Sequence, residues 1–164
     1  MFVLARAVTY ATLFIALVLI FVPGQILESS GIVRPAALGA VEIGGLVVGT
    51  AGGVVALWCV LAFAVVGKGT PAPFDPPRKL VVRGPYRHVR NPMYVGAATA
   101  LGGAAMFYRS LPLLGYLGLF LVATHAFVVW YEEPTLERLF GDEYRAYCAS
   151  VRRWRPGGRS ARGT

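Results

Sequence analysis

Four long apolar runs alternate with polar segments along the chain. They cover residues 2–22, 36–66, 93–108 and 113–131, and the segments between and after them hold the prolines and nearly all of the charges. A helical run of about 20 residues crosses a hydrocarbon layer of about 30 Å, because a helix rises about 1.5 Å per residue. The pattern therefore predicts an all-α polytopic membrane protein with about four transmembrane helices.

Prolines and glycines predict the ends of the first two helices. Pro23-Gly24 is expected to end the first run, and Pro35 suits the start of the second. The second run exceeds one span by about ten residues. We expect it to tilt, or to break at Gly44-Gly45 or Gly52-Gly53, where small residues also let a neighbouring helix approach closely. Glu42, near its start, is expected to reach the membrane interface.

The second half of the chain predicts a helical hairpin followed by an amphipathic helix. Residues 109–112 form a turn so short that the runs on either side must be antiparallel neighbours. Residues 132–152 place apolar side chains near helical spacing. These side chains are Leu136, Leu139, Phe140, Tyr144, Tyr147 and Val151.

The chain divides into three parts that we expect to form a single structural domain. Residues 1–66 supply amino-terminal transmembrane helices, and residues 67–156 form a core of a polar loop, two short spans and the amphipathic helix. Residues 157–164 are rich in glycine, arginine and serine and are expected to be disordered.

The composition fits a membrane protein and predicts its orientation. Hydrophobic residues make up 56% of the chain, and the net charge of +8 is confined to a few segments, so a nucleic-acid partner is disfavoured. Lysine and arginine number six in residues 67–90 and seven in residues 132–164, against Arg34 and Arg109 on the opposite side. Such an excess marks the cytoplasmic side and also meets anionic membrane lipid.

Few residues are available for metal or redox chemistry. The chain has two cysteines, Cys59 in an apolar run and Cys148 in the basic tail, and two histidines. Neither a disulfide framework nor a metal site is predicted from so few ligands. The sequence pattern alone therefore predicts a small membrane protein with a polar pocket at its cytoplasmic face.

That pocket is predicted between the loop at residues 83–94 and the end of the last span. Glu132 and Glu133 leave the membrane on the same side as the loop, and His125 lies seven residues earlier, on the face of Glu132. An ionisable group inside a span usually faces an interior cavity. Three alternatives stay open: a basic loop bound to lipid phosphates, a pair of solvated acids, and a neutral histidine bonded to a backbone carbonyl.

Several segments together resemble a known enzyme superfamily. They are Gly-Pro-Tyr-Arg-His-Val-Arg-Asn-Pro-Met-Tyr-Val-Gly from Gly84, Tyr-Glu-Glu-Pro from Tyr131, and Phe-Gly-Asp-Glu-Tyr-Arg-Ala-Tyr from Phe140. Their order and spacing are similar to the isoprenylcysteine carboxyl methyltransferase and phospholipid methyltransferase superfamily, which consists of integral membrane enzymes. The proline-rich segment 67–77 also looks like a loop of bacterial members, which suggests a bacterial cytoplasmic membrane.

The resemblance implies a methyltransferase that uses S-adenosylmethionine and releases S-adenosylhomocysteine, with its active site open to the cytoplasm. Its acceptor would be a lipophilic or small membrane-partitioning amine, thiol or carboxylate. The implied cofactor-binding residues are Gly67, Gly69, Arg78, Lys79, Leu80, Val81, Tyr86, Asn91, Pro92, Met93, Tyr94, Glu132 and Glu133. No metal is implied.

The residue types agree with this chemistry. Aromatic faces such as Tyr86 and Tyr94 attract a sulfonium cation, and a carboxylate such as Glu132 suits an ammonium or a ribose hydroxyl. His125 is the candidate catalytic residue, as a proton acceptor or a group that positions the methyl acceptor. The substitution His125→Ala is then expected to lower turnover more than cofactor affinity.

One departure bears on the acceptor. Isoprenylcysteine enzymes place an arginine just ahead of the two glutamates, and by spacing that position is Val128 here, which puts prenylcysteine in doubt. The alternatives are a non-catalytic membrane protein of the same fold that binds lipid or a partner, and a relative of sterol reductases that binds a nicotinamide cofactor.

Overall fold

The structure is a computed structural model, and it describes residue 9 and residues 13–62 and 79–156. Every element in these ranges is helical. We number the helices α1 (Ile15–Ser29), α2 (Ala40–Ala62), α3 (Pro92–Phe107), α4 (Leu111–Phe127) and α5 (Glu133–Ser150). The predicted all-α class is confirmed for these ranges. Residues 157–164, predicted to be disordered, lie outside the described residues.

Two of the described helices are long and apolar enough to cross a membrane. They are α2, with a mean hydropathy of 2.1, and the continuous helix from Leu111 to Ser150, with 1.9. Helix α1 is apolar but shorter, and α3 has 16 residues. The predicted number of four spans is therefore not established by length and composition.

The amino-terminal boundaries predicted from proline are wrong. Helix α1 continues through Pro23-Gly24 to Ser29, because proline is tolerated where the preceding turn relaxes its hydrogen bonds, and residues Ile15–Phe21 form a π-helix. Helix α2 begins at Ala40, five positions after Pro35. The intervening residues are turns and extended backbone.

Helices α2 and α3 pack backbone against backbone. A Cβ placed on Gly52 would lie 2.4 Å from the Ala100 amide nitrogen, and one on Gly103 would lie 2.2 Å from the Gly49 amide nitrogen. Helix α2 does not break at its glycines; it is continuous from Ala40 to Ala62. The predicted close approach of a neighbour is confirmed, since the small residues form an antiparallel seam.

Glu42, which is expected to reach the membrane interface, pairs with a turn residue, and its position relative to the interface stays a prediction. Its side chain is buried at 3% exposure, accepts a hydrogen bond from the Gly39 amide at 2.9 Å and pairs with the Arg109 guanidinium. Arg109 belongs to the turn between α3 and α4, where it has a positive φ of 48°. The ion pair therefore fastens the start of α2 to that turn.

The turn itself and the antiparallel hairpin are confirmed. Helix α3 ends at Phe107 and α4 begins at Leu111, and the Ser110 hydroxyl caps α4 by accepting a hydrogen bond from the Leu113 amide. Ala97, Leu101 and Phe120 form the core between α3 and α4, and α1 packs against it. Much of the outer surface of α4 is apolar and exposed, as for Val122 at 68%.

Helix α5 is amphipathic as predicted, with one predicted side chain outside the apolar stripe. Tyr144, Tyr147 and Val151 form a buried cluster to which Leu136 and Phe140 add. Leu139, predicted on the same face, is 52% exposed. The helix kinks at Gly141, whose φ of 52° favours glycine, yet the stripe of Leu136, Phe140, Tyr144, Tyr147 and Val151 keeps helical spacing across the kink.

Candidate functional site

The loop at residues 79–91 carries the site residues to the start of α3. Gly84 has a positive φ of 59°, and a 3₁₀ turn follows at Gly84–Arg87. Asn91-Pro92 starts α3 as predicted. Proline is preorganised for a first helical position and lacks only an amide that the helix would leave unpaired.

Tyr86 anchors the loop at residues 79–91 between α2 and α5. Its ring is buried in a cluster with Cys59 of α2 and Val81 of the loop. Its backbone carbonyl accepts a hydrogen bond of 2.7 Å from the Tyr147 hydroxyl of α5. Burial raises the pKa of Tyr86 well above its usual value, so its phenol stays neutral. The loop is thus fixed from both sides.

Tyr94 and Glu132 meet although they are 38 positions apart in the chain. The Tyr94 hydroxyl donates a hydrogen bond to Glu132 Oε2 at 3.1 Å. Tyr94 lies in the first turn of α3, and Glu132 is the last residue before α5. This contact brings two of the predicted cofactor residues into one place.

A short π-helix at Val128–Glu132 aims the Glu132 side chain. A π-turn bonds residue i to i+5 and so shifts the phase of every later side chain relative to an α-helix. His125 and Glu132 both still lie against Tyr94, since His125 lines a cavity with it and Glu132 accepts its hydroxyl hydrogen bond. Val128, at the position of the expected arginine, is fully buried at 0% exposure.

Glu133 is held by two arginines. Arg153 forms two hydrogen bonds to it, from Nε at 2.8 Å and from Nη2 at 2.6 Å, and Arg90 Nη1 lies 3.2 Å from Oε1. The carboxylate raises the pKa of Arg153 above its usual value, which keeps the pair charged. The Glu133 carboxylate is therefore engaged within the protein.

The chain after α5 returns across the start of α3. The Arg90 amide donates to the Arg152 carbonyl at 2.9 Å, and Asn91 Nδ2 donates to the Arg153 carbonyl at 3.3 Å. Asn91 is buried and makes no side-chain cap for α3. Its amide holds the carboxyl-terminal segment instead.

His125 lies beside Tyr94 across a small cavity. The cavity measures 230 Å³ and is lined by Tyr94, Val95, Leu121, Thr124, His125 and Trp154. The Trp154 indole donates a hydrogen bond to His125 Nδ1 at 3.1 Å. His125 is exposed at the surface of α4, and its bonded partner is this indole, which differs from the backbone carbonyl of the alternative considered above.

The other predicted cofactor residues occupy different surroundings. Val81 is buried, and Met93 packs against its cluster. Leu80 packs against the cluster of Tyr144, Tyr147 and Val151. Lys79 is exposed. Pro92 is fully buried. Gly67, Gly69 and Arg78 lie outside the described residues.

Two residues near the site were not predicted as part of it. Arg153 was counted only as a topology-setting charge, and Trp154 was not singled out, whereas Arg90 lies in the loop at residues 83–94 that was predicted to border the pocket. A tryptophan within an arginine-rich tail is a weak signal for return to the membrane interface, where its ring partitions. The pairing with His125 joins residues 29 positions apart, which helical periodicity does not reveal.

The family comparison covers helices α2 to α4 and the first part of α5. A family model described as phospholipid methyltransferase matches residues 41–143, which is more than half of the chain. The chain belongs to the phospholipid methyltransferase family. No curated protein and no solved structure matches it. Family membership and the apolar helices together make this a membrane protein.

Proposed function

We propose that this member of the phospholipid methyltransferase family is an integral membrane methyltransferase. It moves a methyl group from S-adenosylmethionine to a lipophilic or small membrane-partitioning acceptor. The observation that carries the proposal is the contact between Tyr94 and Glu132. Residues from the two predicted halves of the site converge there at the end of a membrane helix.

Glu132 has the properties of a ligand for a cation. Its Oε2 accepts the Tyr94 hydroxyl, and among the described residues no hydrogen bond engages its other carboxylate oxygen. A carboxyl group with one oxygen free of hydrogen bonds, beside an aromatic ring, suits the ammonium, the ribose hydroxyls or the sulfonium of the cofactor. Glu133, in contrast, is occupied by Arg90 and Arg153, and we propose that it supports the site indirectly.

S-adenosylmethionine fits this set of donors and supplies an electrophilic methyl group on a sulfonium sulfur. Tyr94 offers an aromatic ring beside Glu132, whereas the Tyr86 ring is buried with Cys59 and Val81 and holds the loop in place. The protein's part is to exclude water and hold the acceptor in line, and orientation of this kind accounts for large rate effects. The 230 Å³ cavity is smaller than the roughly 300 Å³ at which ligand pockets begin, so it suits the reacting end of the acceptor.

The same proposal includes four membrane spans with the site at the cytoplasmic face. Helices α1 and α3 are short, but each packs within the apolar bundle around Leu101 and Phe120. The excess of lysine and arginine in the loop and tail favours the cytoplasmic side for both. Val128 is buried where an arginine would meet a prenylcysteine carboxylate, so prenylcysteine is not the acceptor that we favour.

Binding of S-adenosylhomocysteine by the purified protein in nanodiscs tests the proposal. We expect Glu132→Gln to weaken binding by roughly 10- to 100-fold, because a hydrogen bond to a charged group contributes about 1.5–3 kcal/mol. Tyr94→Phe removes the hydroxyl that orients the carboxylate and is expected to cost about 5-fold, corresponding to about 1 kcal/mol. Isothermal titration calorimetry measures both changes.

The matched controls are Glu137→Gln and Tyr108→Phe. Glu137 lies one helical turn along α5 and pairs only with exposed Arg145 among the described residues. Tyr108 lies at the opposite end of α3. Both controls should bind like the wild type. Absence of binding by a folded wild-type protein would contradict the proposal and favour a non-catalytic protein of the same fold.

A further inference from the structure

The segment after α5 crosses the start of α3 and ends against α4. Arg152 and Arg153 are fixed there by backbone contacts with the first residues of α3 and the loop before it. The Arg153 side chain adds two hydrogen bonds to Glu133. The backbone just before Trp154 is therefore held in place without any help from the Trp154 side chain.

The Trp154 ring forms one wall of the 230 Å³ cavity beside Tyr94. Its indole nitrogen donates a hydrogen bond to His125 Nδ1 at 3.1 Å, and the two ring centroids lie 6.0 Å apart. The other walls of the cavity belong to α3 and α4. An indole that is held both at its nitrogen and through its backbone has a fixed orientation, so the ring sets the width of the cavity on the side of the tail.

The cavity lies next to the proposed cofactor ligand. The Tyr94 ring lines the cavity, whereas the Tyr94 hydroxyl bonds Glu132. The Thr124 hydroxyl is turned to the Phe120 carbonyl of its own helix at 2.7 Å. Much of the remaining lining is apolar or aromatic. Such a cavity discriminates between ligands mainly by their shape.

We propose that Trp154 is a specificity-determining residue that limits the size of the group next to the acceptor atom. The proposal rests on the proposed function and deepens it by adding a size limit, whether the acceptor atom is nitrogen, sulfur or oxygen. An unbranched reacting end enters the cavity, and a bulky substituent on the neighbouring carbon collides with the indole. Trp154 lies outside the family match at residues 41–143, so family membership does not by itself supply this wall.

Chemical labelling of a cysteine in the cavity wall tests the size limit without cofactor or turnover. The background protein carries Val95→Cys at a lining position, with both native cysteines removed as Cys59→Ala and Cys148→Ser. The probes are methyl methanethiosulfonate and benzyl methanethiosulfonate, and mass spectrometry follows both reactions in nanodiscs. A single methylene changes binding to an apolar pocket by about 10- to 200-fold. We therefore expect Trp154→Ala to raise the ratio of the benzyl rate to the methyl rate at least about 10-fold.

Two further variants control the labelling experiment. Trp130→Ala removes an indole that is 80% exposed and does not line the cavity, so it should leave the ratio unchanged. Trp154→Phe keeps a smaller ring and should raise the ratio less than Trp154→Ala does. The contacts of Arg152 and Arg153 remain in each variant, and thermal unfolding checks that each is folded. A ratio that neither Trp154 substitution changes would overturn the proposal.

Turnover with labelled S-adenosylmethionine tests the same limit on acceptors. The probes are a long-chain primary amine, thiol and carboxylic acid, each paired with an analogue that carries a phenyl group on the carbon next to the acceptor group. For any pair that is methylated, we expect the wild type to have the higher kcat/KM for the unbranched member. Trp154→Ala should shift this ratio toward the phenyl analogue at least about 10-fold.

The outcomes separate this proposal from the proposed function. A ratio of kcat/KM values that is the same in the wild type and in Trp154→Ala would overturn the size limit while leaving the methyltransferase intact. If the wild type does not bind S-adenosylhomocysteine, the proposed function fails, and the cysteine labelling still decides whether Trp154 limits the cavity.

Discussion

At the scale of single residues, two adjacent glutamates have separate environments. Glu132 is bonded to a tyrosine, whereas Glu133 is shared by two arginines from distant parts of the chain. Of these two acids, Glu133 fastens the loop and the tail, and Glu132 is the one that we propose as the cofactor ligand. The division follows from the helical turn, because adjacent residues point about 100° apart.

The role of Glu133 in holding Arg90 of the loop and Arg153 of the tail can be tested by substitution with glutamine. The Arg90 side chain is only 13% exposed, so Glu133→Gln leaves a largely buried cation without its counter-ion. Loss of one partner of such a pair costs about 3 kcal/mol, and we expect a clearly lower midpoint of thermal unfolding in nanodiscs.

Glu137→Gln is the control for this prediction. It removes an exposed ion pair with Arg145 on the same helix, which contributes less than about 1 kcal/mol. An equal shift of the unfolding midpoint in both variants would contradict a specific role for Glu133.

At the scale of elements, glycines decide how α2 meets α3. Gly52 and Gly53 are neighbours in sequence but face different surroundings. A Cβ at Gly52 would collide with the backbone of α3, while one at Gly53 would meet nothing within 4 Å. The sequence pair predicts a close approach without showing which glycine makes it, because that depends on the rotation of α2 about its axis.

Paired alanine substitutions test this seam. We expect Gly52→Ala to lower stability by about 1–3 kcal/mol, because two backbones must separate to admit the methyl group. Gly53→Ala should raise stability by up to about 1 kcal/mol, since alanine is the better helix former. Thermal unfolding in nanodiscs compares the two, and equal effects would contradict the packing described above.

Sequence patterns predicted the helices well where periodicity and turn residues agree, as at the hairpin around Ser110 and at the start of α3. They failed where a local signal was outweighed by its context. Pro23-Gly24 is accommodated inside α1, and Leu139 is exposed because it lies beside the stripe that contains Leu136 and Phe140. The spacing of apolar residues also did not predict the π-helix at Val128–Glu132.

At the scale of the whole molecule, the site is a junction of three chain segments. The loop before α3, the end of α4 and the segment after α5 meet around Tyr94, Glu133 and His125. The topology predicted from the sequence puts the loop at residues 83–94 and the two glutamates, Glu132 and Glu133, on one side of the membrane. The pairing of side chains across 20 to 62 positions could not be predicted, because it depends on how the tail folds back.

Photolabelling with radiolabelled S-adenosylmethionine tests the central claim most directly. Ultraviolet cross-linking of the protein in nanodiscs, followed by peptide mapping, reports which residues touch the cofactor. We predict label on the peptides that contain Tyr94 and Glu132, with competition by S-adenosylhomocysteine and strong loss in Glu132→Gln. Competed label confined to the opposite end of the bundle, around Tyr108 and Arg34, would contradict the account.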